Sequence, residues 1–328
     1  MDVRAPAQPL DVNAVPRQAH TGARTRVLVV GHVTTDVIVI PHHAITEGDD
    51  NEARIRIVPG GQAANTAAWL AWQGRPVTLV TSVGDDADGR ARIAELTGAG
   101  VDCAARRCRD AATGSVVVIS HANERTMLSQ RGANVRLSGR DIEEALAARP
   151  DTAHLHLSAY VLLDEPSRPA ALRALAAARE HRLGTSVDAA SAELLHQVGT
   201  ARCREWMHGV DLLIANAGEA RMLAGRSGDG AAARELTATA RNVVVKRGVE
   251  GALWAGRGAS VIEVPARPVE AIDSTGAGDA FAAGLLAGLS AGAGPRAALE
   301  QAVTLGATAV SVVGARPHLP RAPFPAPQ

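Results

Sequence analysis

Asp273-Ser274-Thr275-Gly276-Ala277-Gly278-Asp279-Ala280-Phe281 places a turn, a helix start and an acid within nine residues. Gly276 and Gly278 carry no Cβ, so the backbone can close tightly around a ligand. The small, apolar residues 280–289 that follow read as a buried helix. The first-turn N–H groups of such a helix, and the positive end of its dipole, point into the glycine loop and favour an anion, most plainly a phosphate. An acid beside an anion site is unfavourable unless the chemistry requires it. Asp279 fits as the group that takes a proton from a nucleophile attacking that phosphate.

Upstream of this run, short β-branched stretches alternate with alanine-rich ones. Residues 26–30 (RVLVV), 77–80, 154–157, 186–187, 212–214 and 243–245 read as strands. Between them, residues 63–72, 88–96, 168–180 and 231–238 read as helices. Apolar strands in a βαβα order predict an α/β fold, a parallel sheet with helices on both faces. The rhythm breaks at 36–58 and 113–130, which read as strands without helices between them. Polar and apolar positions alternate over 51–58, as in a strand with one solvated face. A small antiparallel sheet projecting from the body, able to act as a lid, is the expectation.

The bulk composition excludes several classes. With 328 residues, 46% of them hydrophobic, the chain can bury a sizeable core. Lys plus Arg and Asp plus Glu both number 34, so neither a nucleic acid nor an anionic membrane surface is indicated as partner. No apolar run approaches the roughly 20 residues of a membrane helix. The three cysteines, Cys103, Cys108 and Cys203, lack a zinc-type spacing and suit a reducing cytoplasm. Residues 1–24 are polar and proline-bearing without a signal-type apolar stretch, and read as a disordered extension. The last 12 residues hold five prolines and read as an extended tail.

Other constellations gain meaning only beside the 273–281 run. Gly60-Gly61-Gln62-Ala63-Ala64-Asn65 opens a helix, with a glycine pair for close backbone approach and Asn65 one turn in, offering donor and acceptor. Asp36, after the first strand, can accept two hydroxyl protons from a polyol or cap a turn. Asp85, Asp86 and Asp88 lack the spacing of a calcium loop and suit a turn into a helix. Asn216 and Glu219 follow a strand end, where they can hold Mg²⁺ through water or form a helix-capping pair. Lys246 and Gly248 end another strand, near phosphates or in solvent. His42, His43, His154 and His156 have no matching Cys or carboxylate cluster, so packing accounts for them. The P-loop, the G-x-G-x-x-G fingerprint and the G-x-S-x-G elbow are all absent, which disfavours the enzymes built on them.

GGQAAN at 60–65, the 84–89 loop, Asn216 with Glu219, and DSTGAGDAF at 273–281 resemble, in order and spacing, the ribokinase-like carbohydrate kinase family over roughly residues 25–316. The resemblance implies a three-layer α/β/α domain with a small β-sheet lid at about 37–58 and 113–130. It implies ATP and Mg²⁺ as cosubstrates and phosphorylation of a hydroxymethyl group. Asp279 would be the general base, with Gly276, Ala277 and Gly278 as anion hole. Asp36, Gly60, Gly61 and Asn65 would bind the sugar. Asn216 and Glu219 would organise Mg²⁺ and phosphates, and Lys246 and Gly248 would border the nucleotide. Asp273 and the Thr275 carbonyl match positions that bind a monovalent cation such as K⁺ in some members, with further carbonyls near 310–314. A homodimer joined through the lid is the expected assembly. Ser274 stands where Thr is common, and Gln62 where ribokinases proper carry Lys, which weakens ribose as the acceptor.

The acceptor is the open question. None of the seven aromatic residues lies in 36–58 or 113–130, which favours a plain sugar over a nucleoside needing a slot for its base. Arg131, ending the second lid segment, suits a carboxylate or phosphate on the acceptor if it faces the pocket. A small sugar or sugar acid is therefore the expected substrate. A nucleoside kinase and a non-catalytic sugar-binding regulator remain the alternatives.

Overall fold

The computed structural model describes residues 24–121 and 124–317. Its strands in chain order are β1 (Arg26–Val30), β2 (Thr34–Pro41), β3 (Ala53–Gly60), β4 (Val77–Gly84), β5 (Asp102–Cys108), β6 (Gly114–His121), β7 (Glu124–Gln130), β8 (Thr152–Ser158), β9 (Gly184–Asp188), β10 (Leu212–Asn216), β11 (Asn242–Lys246), β12 (Ala252–Gly256) and β13 (Ile262–Val264). The helices are α1 (Gln62–Trp72), α2 (Ala87–Gly98), α3 (Gly139–Ala147), α4 (Ala159–Leu163), α5 (Arg168–Glu180), α6 (Ala192–Val198), α7 (Thr200–Trp206), α8 (Ala217–Ala224), α9 (Asp229–Leu236), α10 (Ala277–Ser290) and α11 (Pro295–Val310).

Nine strands form the main sheet in the order β13-β12-β11-β10-β9-β8-β1-β4-β5. The run from β11 to β5 is parallel, and β12 and β13 add antiparallel strands at one edge. Alternation along each strand builds the layers, because successive side chains leave opposite faces. Leu28 and Val30 pack with Leu155, Leu157, Leu213 and the helices from α3 to α9. Val27 and Val29 pack with α1, α10 and α11 on the other face. The result is three layers, α/β/α.

The chain leaves β1 towards β4 and β5, then returns to β8 on the other side of β1. In open α/β sheets such a reversal marks where ligands bind, here the C-terminal ends of β1 and β8. The fold therefore selects one edge of the sheet for chemistry.

The second sheet has the order β3-β2-β6-β7. The expectation of an antiparallel sheet holds for its outer pairs and fails at its centre, where β2 and β6 run parallel. The cause is connectivity. β6 arrives after an excursion through β4, α2 and β5 in the main sheet, so it enters beside β2 in the same direction. The expected single solvated face is also corrected. Ile55 and Ile57 are 61% and 69% exposed, and Arg54 and Arg56, which alternate with them, are exposed as well, so β3 is open on both sides. The expected extension at 1–24 lies outside the described residues except for Arg24, and the tail at 317–328 except for Pro317.

Asn134 joins the two sheets. Its Oδ1 accepts from Val33 N (3.1 Å) and its Nδ2 donates to Val33 O (2.9 Å), pinning the link from β1 to β2. Asn134 is 1% exposed, so neither Val33 group has water as a substitute. Asn134→Leu should cost about 1–3 kcal/mol for each stranded backbone group. Urea unfolding monitors this, and a wild-type midpoint would show that the clamp contributes nothing.

Candidate active site

Asp188, Asn216 and Lys246 end three neighbouring strands, and register places Asn216 opposite Lys246. α10 begins at the same edge. Its N-cap, Gly276, is left-handed at φ 74° and has no side chain with which to cap the helix. A Cβ at Gly276 would lie 2.6 Å from Ala315 Cα, so this loop depends on glycine for both its φ and its close approach. Gly278 sits against Lys246, whose Nζ would be 3.4 Å from a Cβ there. Ala277 N bonds Ser274 O at 3.3 Å. The uncapped helix start and the ammonium together fit the phosphates of a nucleotide.

The carboxylates around this point are arranged by one lysine. Lys246 Nζ donates to Asp188 Oδ2 at 2.8 Å, with Asp188 1% exposed. Burial works against the Lys246 charge, but Asp188 and Glu219 outweigh it and hold its pKa above the ordinary value. Glu219, also buried, is raised by that burial, with Lys246 opposing. Its two oxygens accept from Asn216 N and Nδ2, each at 2.7 Å, while Asn216 Oδ1 accepts from Glu219 N at 2.8 Å. Asn216 and Glu219 thus form a capping box for α8, the structural one of the two readings, yet they stay within the charge field of Lys246. Gly248 opens an exposed 3₁₀ turn just beyond β11.

Asp279 lies in the first turn of α10 and keeps part of its surface open. The protein packed around it nevertheless pushes its carboxyl up to about 7. Burial is the main cause. Asp188 adds to it, and the hydrogen bond from Asn65 and the charges of Lys246 and Arg316 oppose it. Asn65 Nδ2 donates to Asp279 Oδ2 at 2.8 Å, joining residues 214 positions apart. This bond brings the two glycine motifs into one site.

Around Asn65, Gly61 caps α1, and Gly60 lies beneath the Asp36 carboxylate so closely that any Cβ would overlap it. Asp36 Oδ1 accepts from Thr34 Oγ1 at 2.7 Å, and burial raises its pKa. Gln62 accepts from Ser158 at the end of β8 at 2.5 Å. Asp273 Oδ1 accepts from Thr275 N (2.9 Å) and Oγ1 (2.6 Å), and its Oδ2 accepts from Gly314 N (3.0 Å). The Val310 carbonyl accepts from both Ile272 N (2.8 Å) and Asp273 N (3.2 Å), so a cation there would compete with two amides.

Arg131 is neither free in solvent nor open to a ligand on all sides. Its Nε lies 2.9 Å from Asp164 Oδ2, and its guanidinium covers the Tyr160 ring at 5.0 Å. Tyr160 also stacks on His32, 5.9 Å away, whose pKa burial lowers to about 3 so that it stays neutral. Asp86 caps α2 and bonds Thr113, the turn role anticipated for that loop. His154 and His156 share the Ser186 hydroxyl, His156 in the core and His154 half-buried.

Residues 24–322 match the pfkB family of carbohydrate kinases. The chain belongs to that family. An ATP-dependent ribose-1-phosphate kinase of Halopiger xanaduensis is 32% identical over 295 residues, covering 89% of this chain and 94% of the relative. An adenosine kinase structure from Sinorhizobium meliloti superposes with a TM-score of 0.81 at 23% identity, covering 90% and 97% of the two chains. A putative ribokinase II from E. coli in complex with ATP and Mg²⁺ gives 0.78 at 24% identity, covering 89% and 94%. These structures share the fold of this pfkB-family chain.

Sequence reasoning missed two site residues. Asp188 closes a strand recognised only at 186–187, and a lone Asp at a strand end carries no motif. Arg316 follows α11 and reaches back to Asn65 and Gly60. No spacing rule links it to either.

Lys246→Met should strand the buried Asp188 carboxylate. Removing one partner of such a pair costs about 3–5 kcal/mol. Equilibrium unfolding with urea measures this at pH 8, and a loss below about 1 kcal/mol would mean that Asp188 finds water instead.

Proposed function

We propose that this carbohydrate kinase transfers the γ-phosphoryl of ATP to a hydroxymethyl group of a small sugar or sugar acid, with Asp279 as general base. The observation that carries the reading is the Asn65–Asp279 bond, which puts a polyol-type loop and an anion-type helix start in contact. ATP would supply the phosphoryl group, and Mg²⁺ would offset the excess of Asp188, Glu219 and Asp279 over Lys246.

In this reading Asp36, Gly60, Gly61 and Asn65 hold the acceptor so that its hydroxyl lies against Asp279. Asp279 takes the hydroxyl proton as the new P–O bond forms and the bond from the γ-phosphorus to the bridging oxygen breaks, ADP leaving with that electron pair. The amides of Gly276 and Gly278 meet the developing negative charge, Ala277 N joins them on releasing its long bond to Ser274 O, and Lys246 adds its cation beside them. Little covalent chemistry is asked of the protein, so placement and electrostatics supply the rate. Gly248 borders the nucleotide, and Asp273 with the Thr275 carbonyl is the place for K⁺. The small sheet closes over the acceptor and excludes water that would otherwise compete for the phosphoryl. Its exposed Ile55, Ile57, Met127 and Leu128 support a homodimer joined there.

A nucleoside acceptor is the second reading, and Tyr160 is an aromatic ring within the charge field of Asp279. That ring is already stacked on His32 and covered by Arg131, which disfavours it as a platform for a base. Arg131 keeps its ion pair with Asp164, so an acidic substituent on the acceptor would share rather than monopolise its charge.

Asp279→Asn should bind ATP normally and lose on the order of 10²–10⁴ in turnover. The screen is ADP release with ribose, fructose, 2-dehydro-3-deoxygluconate, ribose 1-phosphate and adenosine, with and without K⁺. Near-normal turnover by the variant removes Asp279 from the base role, and adenosine as the best acceptor reverses the choice of substrate. For the wild-type chain the base must be ionised. A carboxyl at about 7 therefore makes kcat/KM rise through neutral pH and level above it. An activity already level at pH 5.5 contradicts this assignment.

A further inference from the structure

Arg316 is 8% exposed and lies beneath the sugar end of the site. Its Nε donates to Asn65 Oδ1 at 3.0 Å and its Nη2 donates to the Gly60 carbonyl at 2.9 Å. On its far side Nη1 stands 3.9 Å from Glu95 Oε2. Burial lowers its pKa to about 10, so it remains charged at neutral pH. A guanidinium has only donors, so the Asn65 atom that faces it has to be the oxygen. The nitrogen of that amide is then left facing Asp279, at 2.8 Å from Oδ2.

We propose that Arg316 is a positioning residue of the phosphoryl transfer, fixing the Asn65 amide so that Nδ2 donates to the Asp279 carboxylate. The inference rests on the reading of Asp279 as general base. Without the guanidinium, the amide has two orientations instead of one. The turned orientation sets Oδ1 against Asp279, which repels the carboxylate and suits only its protonated form. Arg316 also takes one of the two lone pairs of the Gly60 carbonyl, tying the acceptor loop to the same guanidinium.

The backbone that carries Arg316 is tied to the opposite end of the site. Trp69 Nε1 donates to Ala315 O at 3.0 Å, and Gly314 N donates to Asp273 Oδ2 at 3.0 Å. Ala315 is also the residue against which Gly276 packs. Residues 314–316 thus act as a strap from the anion hole to the acceptor loop, and the Arg316 side chain is the strap's link to the base through Asn65. The charged groups that bear on Asp279 are Asp188 from β9, Lys246 from β11 and Arg316 itself, and the Tyr160 hydroxyl from α4 shares the same field. Asp188 opposes ionisation, whereas Lys246 and Arg316 favour it.

The test compares R316Q, R316K and D279N with the wild-type chain, using whichever acceptor of the screen is turned over fastest. Thermal melting accompanies kcat and kcat/KM measured from pH 5.5 to 9. R316Q should lose roughly 10–10²-fold in kcat through misplacement of the base. Its acidic limb should move to higher pH, because a cation that favours ionised Asp279 is gone. R316K keeps the charge, so its limb should stay near the wild-type position. Its kcat should still fall, since one ammonium cannot reproduce the paired bonds to Asn65 and Gly60. A purely structural role would lower the melting temperature and leave the limb in place.

A folded R316Q with a wild-type limb overturns the inference while D279N remains inactive. Should R316Q fail to fold, R316K decides, and wild-type kcat in that variant overturns the inference equally. A D279N variant with near-normal turnover instead brings down the base reading, and the inference with it.

Discussion

A carboxylate whose ionisation is opposed by the protein around it, set in the first turn of a helix that starts on a glycine loop, is the constraint on which this site depends. Asp279 would be cheaper to bury as a neutral acid. What keeps its charged form within reach at neutral pH is a set of partners from distant parts of the chain. Asn65 donates to it, and Lys246 and Arg316 supply positive charge. Two of these partners are fixed by further contacts, Lys246 by Asp188 and Asn65 by Arg316. The site is a connected set of polar contacts rather than a row of independent residues, so single substitutions in it should not add.

The fold supplies the convergence. Parallel strands deliver Ser158, Asp188, Asn216 and Lys246 to one edge of the sheet, beside the point where strand order reverses at β1. α1 and α10 pack on the same face of the sheet, which lets Asn65 meet Asp279 across 214 residues of sequence. The second sheet projects from this edge, with β2 following β1 after only Gly31, His32 and Val33. The second sheet is therefore continuous with the strand edge that carries the site.

The parts legible in the sequence were those governed by local rules. RVLVV at β1 and the alanine-rich α5 follow from periodicity, and the 168–180 helix has the expected bounds. The glycine loop before α10 was legible because a left-handed turn and an uncapped helix start both leave their mark in adjacent residues, Gly276 and the apolar run after Asp279. β5 was not legible, since DCAARRC is an edge strand whose two arginines are exposed. The parallel pairing of β2 with β6 could not be read from alternation, which has the same period in either direction. Asp188 and Arg316 acquire meaning only from tertiary contacts. Arg316 in particular lies 251 residues from the asparagine it orients.

The central claim concerns the ionisation of one carboxyl, and a ¹³C NMR titration of the wild-type chain labelled at the aspartate carboxyl carbons reads it directly. The resonance missing from Asp279→Asn identifies the group. A midpoint near 7 in the ligand-free protein is the expected result. A midpoint close to the ordinary aspartate value (~3.9 in peptides) would contradict the account.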